Sequence, residues 1–136
     1  MKKPPANPTD EDSVDNCLFC KIAAKQIPAS IVYEDDDLLA FKDINPAAPV
    51  HLLVIPKKHI STLTEAQPED TLLLGKMLAL APKLAADHNV SVVYGNDGSP
   101  TRGYKTLINS GPDGGQVIYH LHMHLYGGPR PWRGMH

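Results

Sequence analysis

Three histidines, His120, His122 and His124, occupy alternate positions in the stretch VIYHLHMHLYGG, from Val117 to Gly128. Alternation at period two is strand-like, because successive side chains of a strand face opposite sides. It puts three imidazoles on one face and Leu121, Met123 and Leu125 on the other. Such a row can ligate a metal or serve a reaction as acid, base or nucleophile. At a rise of about 3.3 Å per residue the outer two start roughly 13 Å apart, whereas zinc holds each ligand within about 2.1 Å. One ion shared by all three is therefore disfavoured, while an adjacent pair could share one. A single histidine is ordinarily a core or surface residue; three in register are far more specific.

Just before the row lies NSGPDGGQ, whose Gly111, Gly114 and Gly115 permit torsions and close approaches that a side chain forbids. Turns of this kind can aim successive N–H groups at an anion, although most Gly, Pro and Asp clusters only reverse the chain. Beside a histidine with an ordinary pKa of about 6.5, largely neutral at pH 7, such donors are the parts needed for nucleophilic attack on phosphorus.

Other segments must position these groups. Residues 1–16 are rich in Pro, Asp, Asn and Thr and poor in large apolar side chains, which predicts a disordered tail. CLFCKIAAKQI predicts a short helix, with Asp15 or Asn16 as N-cap and Pro28 beyond its end. SIVYEDDDLLAFKDI reads as a hairpin around Asp35 to Asp37, and VHLLVI as a third strand ending at Pro56. From Gln67 onward, Leu72, Leu73, Met77, Leu80 and Leu84 recur at helical spacing, with Pro82 expected to kink or interrupt the helix. Residues 89–103 read as an extended loop around a possible short strand. YKTLINS is a fourth strand and QVIYHLHMHLY a fifth.

The 136 residues, 42% hydrophobic, suit one domain with one modest core. A net charge of −2 without a run of five like charges gives no footprint for nucleic acid or an anionic membrane. No apolar run approaches the roughly 18 residues of a membrane span, and the N-terminus lacks a signal-peptide core, so a cytoplasmic location is expected. Cys17 and Cys20, three apart, form no disulfide framework and read as metal-binding, redox-active or incidental.

YHLHMHLYGG resembles the motif of the histidine-triad (HIT) superfamily of nucleotide hydrolases and transferases. The likeness extends to Cys17–Ile60, which resembles the N-terminal half of the Hint branch, and to GYKTLINSGPDGGQ, similar to its phosphate loop. The fold implied is α+β: a single domain over residues 17–136 with a C-terminal tail from about residue 127. It has a five-stranded antiparallel sheet, one short and one long helix, and a two-fold homodimer with joined sheets. The activity implied is that of a purine nucleoside phosphoramidase, cleaving the P–N bond of AMP-amide-like compounds.

The resemblance makes His122 the nucleophile, His120 a residue that orients the site, and His124 a hydrogen-bond donor to the phosphate. It adds main-chain N–H groups of Gly115 and Val117, the Asn109 amide and the nearby His51. Asp43 would accept the ribose hydroxyls, which suits a carboxylate. Phe19, Ile22, Phe41 and Ile44 would sandwich the purine, although by themselves they read as core. Catalysis of this kind needs no metal cofactor. CLFC is similar to the Cys-x-x-Cys of zinc-containing HIT proteins, which implies Cys17, Cys20, His59 and His120 as ligands of a closed structural site. Val117 stands where many Hint proteins carry serine, and Trp132 falls near the tryptophan that reaches a partner's site in that branch. A dinucleoside polyphosphate hydrolase, a nucleotide-binding regulatory module and a zinc-organised interaction domain are the alternatives. Gly127–Gly128 and the Hint-like N-terminal half favour the phosphoramidase over the first of these.

Overall fold

The computed structural model describes residues 16–129. The expected N-terminal tail, apart from Asn16, and Trp132 lie outside that range. Elements follow in the order α1 (Leu18–Ala23), β1 (Ile31–Glu34), β2 (Leu38–Lys42), β3 (Val50–Pro56), α2 (Thr71–Asp87), β4 (Val93–Tyr94), β5 (Pro100–Thr101), β6 (Tyr104–Leu107) and β7 (Met123–Gly127). Two 3₁₀ turns, Leu63–Glu65 and Pro68–Asp70, lead into α2. Among the described residues no helix is long and apolar enough to cross a membrane.

The acidic run after Tyr33 makes its own turn. Asp35 accepts the N–H groups of Asp37 and Leu38, both at 2.8 Å, and the Tyr33 hydroxyl at 2.7 Å. The chain thereby reverses between β1 and β2. The main sheet has the order β1-β2-β3-β7-β6, and all its neighbours are antiparallel. Strand alternation splits its side chains into two layers. Leu38, Ala40, Leu52, Val54, Met123 and Leu125 meet the buried face of α2, formed by Met77, Leu80, Ala81, Leu84 and Ala85. On the other side Leu39, Phe41, Leu53 and Ile55 pack with Cys17, Phe19 and Ile22 of the α1 region. That second face carries the histidines.

Three expectations need correction. Helix α1 is capped by Cys17, whose sulfur accepts the Cys20 N–H at 3.3 Å, so the cap falls one or two residues later than Asn16 or Asp15. Helix α2 runs uninterrupted through Pro82. Pro82 is exposed, and the carbonyl it deprives of a partner belongs to Leu78, itself on the solvent side, where water can replace the lost bond. Residues 93–101 form a separate two-stranded hairpin rather than a loop with one strand. Its turn is held by Asp97, which accepts the Ser99 N–H at 2.9 Å, and by Gly98 at φ +83°.

Asp70, at the last position before α2, is 4% exposed and accepts Lys58 Nζ at 2.6 Å and the Gln67 N–H at 2.9 Å. Lys58 first, then the Gln67 amide, hold its carboxyl below the ordinary aspartate range. A carboxyl depressed in this way contributes stability that is complete above its unfolded pKa of about 3.9 and lost as pH falls through the folded one. Asp70→Asn is therefore expected to melt below the wild type at pH 7, with the gap closing below about pH 4. Circular-dichroism melts showing a gap independent of pH would overturn this.

Candidate active site

Of the three histidines only His124 lies within strand β7; His120, in a bend, and His122 precede it. The fifth strand thus begins at Met123, not at Gln116. Its partner β6 ends at Leu107, opposite His124, and the chain then departs into the glycine loop, leaving residues 116–122 no ladder on that side. The Leu121 N–H instead donates to the carbonyl of Ile60 at 2.6 Å. The alternation survives all the same, because Leu121 joins Met123 and Leu125 in the core beneath α2.

Hydrogen bonds assign the imidazole protons. A carbonyl can only accept, so the 2.7 Å contact between His122 Nδ1 and the His120 carbonyl places the proton on Nδ1 and leaves a lone pair on Nε2. Burial pushes the pKa of His122 down, against the His120 carbonyl and the Asp43 charge, which raise it. The ring is therefore neutral at pH 7. The Ala47 N–H donates to His51 Nδ1 at 3.1 Å, so neutral His51 carries its proton on Nε2 and donates it to His124 Nδ1 at 2.9 Å. His124 is left with an Nε2–H donor.

Asp43 completes this corner, its Oδ2 3.5 Å from His51 Nε2 and its Oδ1 accepting the Asn45 N–H at 2.8 Å. Ligand atoms of Asp43, His51 and His124 all lie within 4.8 Å of one another, a spacing that could suit a cation. The tautomers speak against it. The lone pair of His51 is spent on Ala47, and the His51 proton sits between the two rings where an ion would have to be.

Around His122 and His124 opens a cavity of about 560 Å³. Phe19, Leu53 and Ile118 supply apolar walls, and Asp43, Asn45 and Asn109 polar ones. A larger cleft of about 830 Å³, near Val90, Tyr104 and Gly128, contains none of the three histidines. Phe19 stands edge-on to His122, with ring centroids 5.2 Å apart at 89°. Gly115 and Val117 also line the cavity, Val117 with 79% exposure. Ile22 and Phe41 are core residues and do not line it, whereas Ile44 is 90% exposed.

The glycine loop is tied to itself. The Gly115 N–H donates to the Pro112 carbonyl at 3.1 Å and Asn109 Nδ2 to the Gly114 carbonyl at 2.6 Å, so two of the three expected phosphate donors of the loop have internal partners. An amide NH₂ carries two hydrogens, which leaves Asn109 a second for a ligand. Sequence reasoning missed the loop's clamp, Gln116. It is 5% exposed, accepts the Gly111 N–H at 2.9 Å and donates to the Ser61 and Ile118 carbonyls at 2.8 and 3.0 Å. Asn45, Leu53 and Tyr126 were missed as well; for Tyr126 the signal was present, since it continues the period-two row 120, 122, 124.

His120 faces the other way. Its Nε2–H donates to the Pro56 carbonyl at 2.7 Å, so its Nδ1 lone pair points at Cys17 Sγ, 3.2 Å away, and Cys20 Sγ, 3.5 Å away. His59 Nδ1 lies 3.2 Å from Cys20 Sγ, and the four ligand atoms are mutually within 4.8 Å. Ligands of a zinc tetrahedron sit about 3.5 Å apart given bonds of about 2.0 to 2.3 Å, so two thiols and two imidazoles fit one such ion. Carbonyl bonding to the far nitrogen is what orients a metal-binding histidine. Without a cation, burial and the neighbouring Cys17 push the Cys20 thiol up to about 12, and burial pushes His120 down to about 4.

A family model described as "Scavenger mRNA decapping enzyme C-term binding" matches residues 16–135. Protein HitA of Neisseria gonorrhoeae is 53% identical over 116 residues, covering 85% of this chain and 99% of that relative. The chain belongs to the histidine-triad (HIT) family. The purine nucleoside phosphoramidase of Escherichia coli is 40% identical to this HIT protein over 114 residues, 84% of this chain and 88% of the relative. Among solved structures, a HIT family hydrolase from Legionella pneumophila is 47% identical with a TM-score of 0.75, covering 85% of this chain and 95% of that one. The α+β fold with a five-stranded antiparallel sheet is the fold of these HIT neighbours.

Proposed function

We propose that this HIT protein is a hydrolase of the purine nucleoside phosphoramidase type, cleaving the P–N bond of AMP-amide-like substrates. The observation that carries the reading is the fixed tautomer of His122, whose Nδ1–H is held by the His120 carbonyl so that Nε2 offers a lone pair. In the first step His122 Nε2 bonds to phosphorus as the P–N bond breaks. The electron pair goes to the leaving nitrogen, which takes up a proton from solvent water and departs as the amine. In the second step water attacks the nucleotidyl-histidine, giving AMP and restoring the imidazole. Splitting one displacement into two is the advantage of covalent catalysis. The Nε2–H of His124 is the donor for the phosphoryl oxygen, where charge grows in both steps. Asp43 and Asn45 supply polar partners for the ribose, and Phe19, Leu53 and Ile118 an apolar seat for the purine. The 40% identity to the E. coli phosphoramidase supports the same substrate class.

Zinc in the cluster of Cys17, Cys20, His59 and His120 belongs to this proposal as a structural ion; it takes no part in the two steps. So does a homodimer, supported by the open edge of β6 and by exposed Leu72 and Leu78 on α2. Light scattering is expected to give twice the chain mass, and a monomer would overturn the dimer.

The test of the activity is steady-state hydrolysis of an adenosine 5′-phosphoramidate with diadenosine tetraphosphate assayed in parallel. Preference for the amidate is expected. Preference for the tetraphosphate would move the chain to the dinucleoside polyphosphate hydrolases, and no turnover would leave a nucleotide-binding module. A Cβ on Gly114 would lie 2.3 Å from the Ser110 carbonyl oxygen, closer than any rearrangement short of moving the loop can relieve. Gly114→Ala is accordingly expected to lower kcat/KM for the amidate by about 10²-fold with a cooperative melt retained; wild-type kinetics would show that the loop does not serve the phosphate.

A further inference from the structure

Tyr126 lies beside the histidine row, lines the same cavity and is 4% exposed. Its ring is parallel to that of His124 within 4°, centroids 5.4 Å apart, and packs on His51 at 4.3 Å and 37°. The register sets it opposite His51 on β3 and opposite Lys105 on β6, with Lys105 Nζ 5.8 Å from the ring centroid. A cation, an aryl ring and an imidazole thus cross the sheet in one row, next to the imidazole with the donor.

That donor has a weakness. The terminal torsion of a histidine is broad, so the ring can rotate out of the plane in which Nδ1 meets His51. A His124 ring so rotated would draw Nδ1 away from the His51 donor and turn its N–H out of the cavity. The bond from His51 opposes this rotation, but it acts at one edge of the ring only.

We propose that Tyr126 is a positioning residue for His124, its stacked face holding the imidazole in the one orientation that accepts from His51 and presents Nε2–H to the cavity. The aryl face does this, not the hydroxyl, so phenylalanine should suffice and an aliphatic side chain should not. The kinetic consequence rests on the phosphoramidase reading; the orientation of His124 does not.

Both parts are read in the full ¹⁵N-labelled chain. Long-range ¹H–¹⁵N spectra of the imidazoles should show His124 as a single Nε2–H tautomer in the wild type and in Tyr126→Phe. In Tyr126→Leu the two nitrogen shifts should move toward each other. With an adenosine phosphoramidate, Tyr126→Leu should lose about tenfold in kcat with KM within about twofold, and Tyr126→Phe should restore it. If the leucine variant does not fold, Tyr126→Met, which fills the space without an aromatic face, takes its place. A His124 spectrum unchanged by leucine or methionine overturns the proposal. A wild type that turns over no amidate overturns the phosphoramidase reading alone, since the spectra still decide the role of Tyr126.

Discussion

His122→Ala is expected to lower kcat for an adenosine phosphoramidate by at least about 10³-fold while leaving AMP affinity within a few-fold. Among the described residues that form this site, the variant removes the one imidazole whose lone pair the hydrogen bonds direct away from the protein frame and into the cavity: that of His51 is spent on Ala47, that of His124 on His51, and that of His120 faces the thiols. What remains is direct attack by water, aided by the His124 donor and by binding. Removing a buried ring 5.2 Å from Phe19 also leaves a void, so the assay belongs well below the melting temperature. Wild type quenched in alkaline denaturant, in which a nucleotidyl-histidine P–N bond survives, should carry nucleotide on protein and the variant none. A variant retaining a tenth or more of wild-type kcat would show that the three imidazoles bind but do not attack.

The second large effect concerns the proposed zinc site. Purified wild type is expected to hold about one zinc per chain, and Cys17→Ser about none. Serine is a good N-cap, so it keeps the capping role that Cys17 plays for α1. The loss of stability therefore reports the ion rather than the helix. Structural zinc is worth about 10–16 kcal/mol in isolated finger peptides. Here a second core under α2 holds the fold together, and several kcal/mol, or a drop on the order of 10 °C in Tm, is the expected share. Elemental analysis and melting curves decide it: zinc retained by the variant, or a wild type free of zinc, would overturn the assignment.

How much of this was legible from the chain depended on how local the physics was. The β1–β2 turn follows from Asp35 and its immediate neighbours, and the two faces of β2, β3 and β7 follow from alternation alone. The sites themselves became legible only through the motif, since nothing local says that His59 meets Cys20 or that His51 meets His124. Local reasoning failed where a distant partner decided the outcome. Pro82 does not break α2, where Leu78, whose carbonyl it orphans, lies on the exposed side. β7 starts late because β6 ends early. Ile44 looked like core and is 90% exposed, while Ile22 and Phe41 went to the core they resembled. The Gly127–Gly128 pair makes physical sense only in three dimensions. A Cβ on Gly127 would lie 2.7 Å from Val90, and one on Gly128 would lie 2.7 Å from Pro49.

His120 divides its duties between two parts of one residue. The ring turns to the thiols, while the carbonyl fixes the proton on His122. A carbonyl is the same whatever side chain it carries, so in the proposed mechanism the attacking nitrogen would take its instruction from the main chain, while an ion in the cluster would take its ligand from the side chain. A descendant of this chain could then surrender its cysteines and exchange the imidazole at position 120 yet keep a primed nucleophile, provided some other contact anchors that one peptide. The proposed ion and the proposed chemistry would be neighbours here, yet they could be inherited separately.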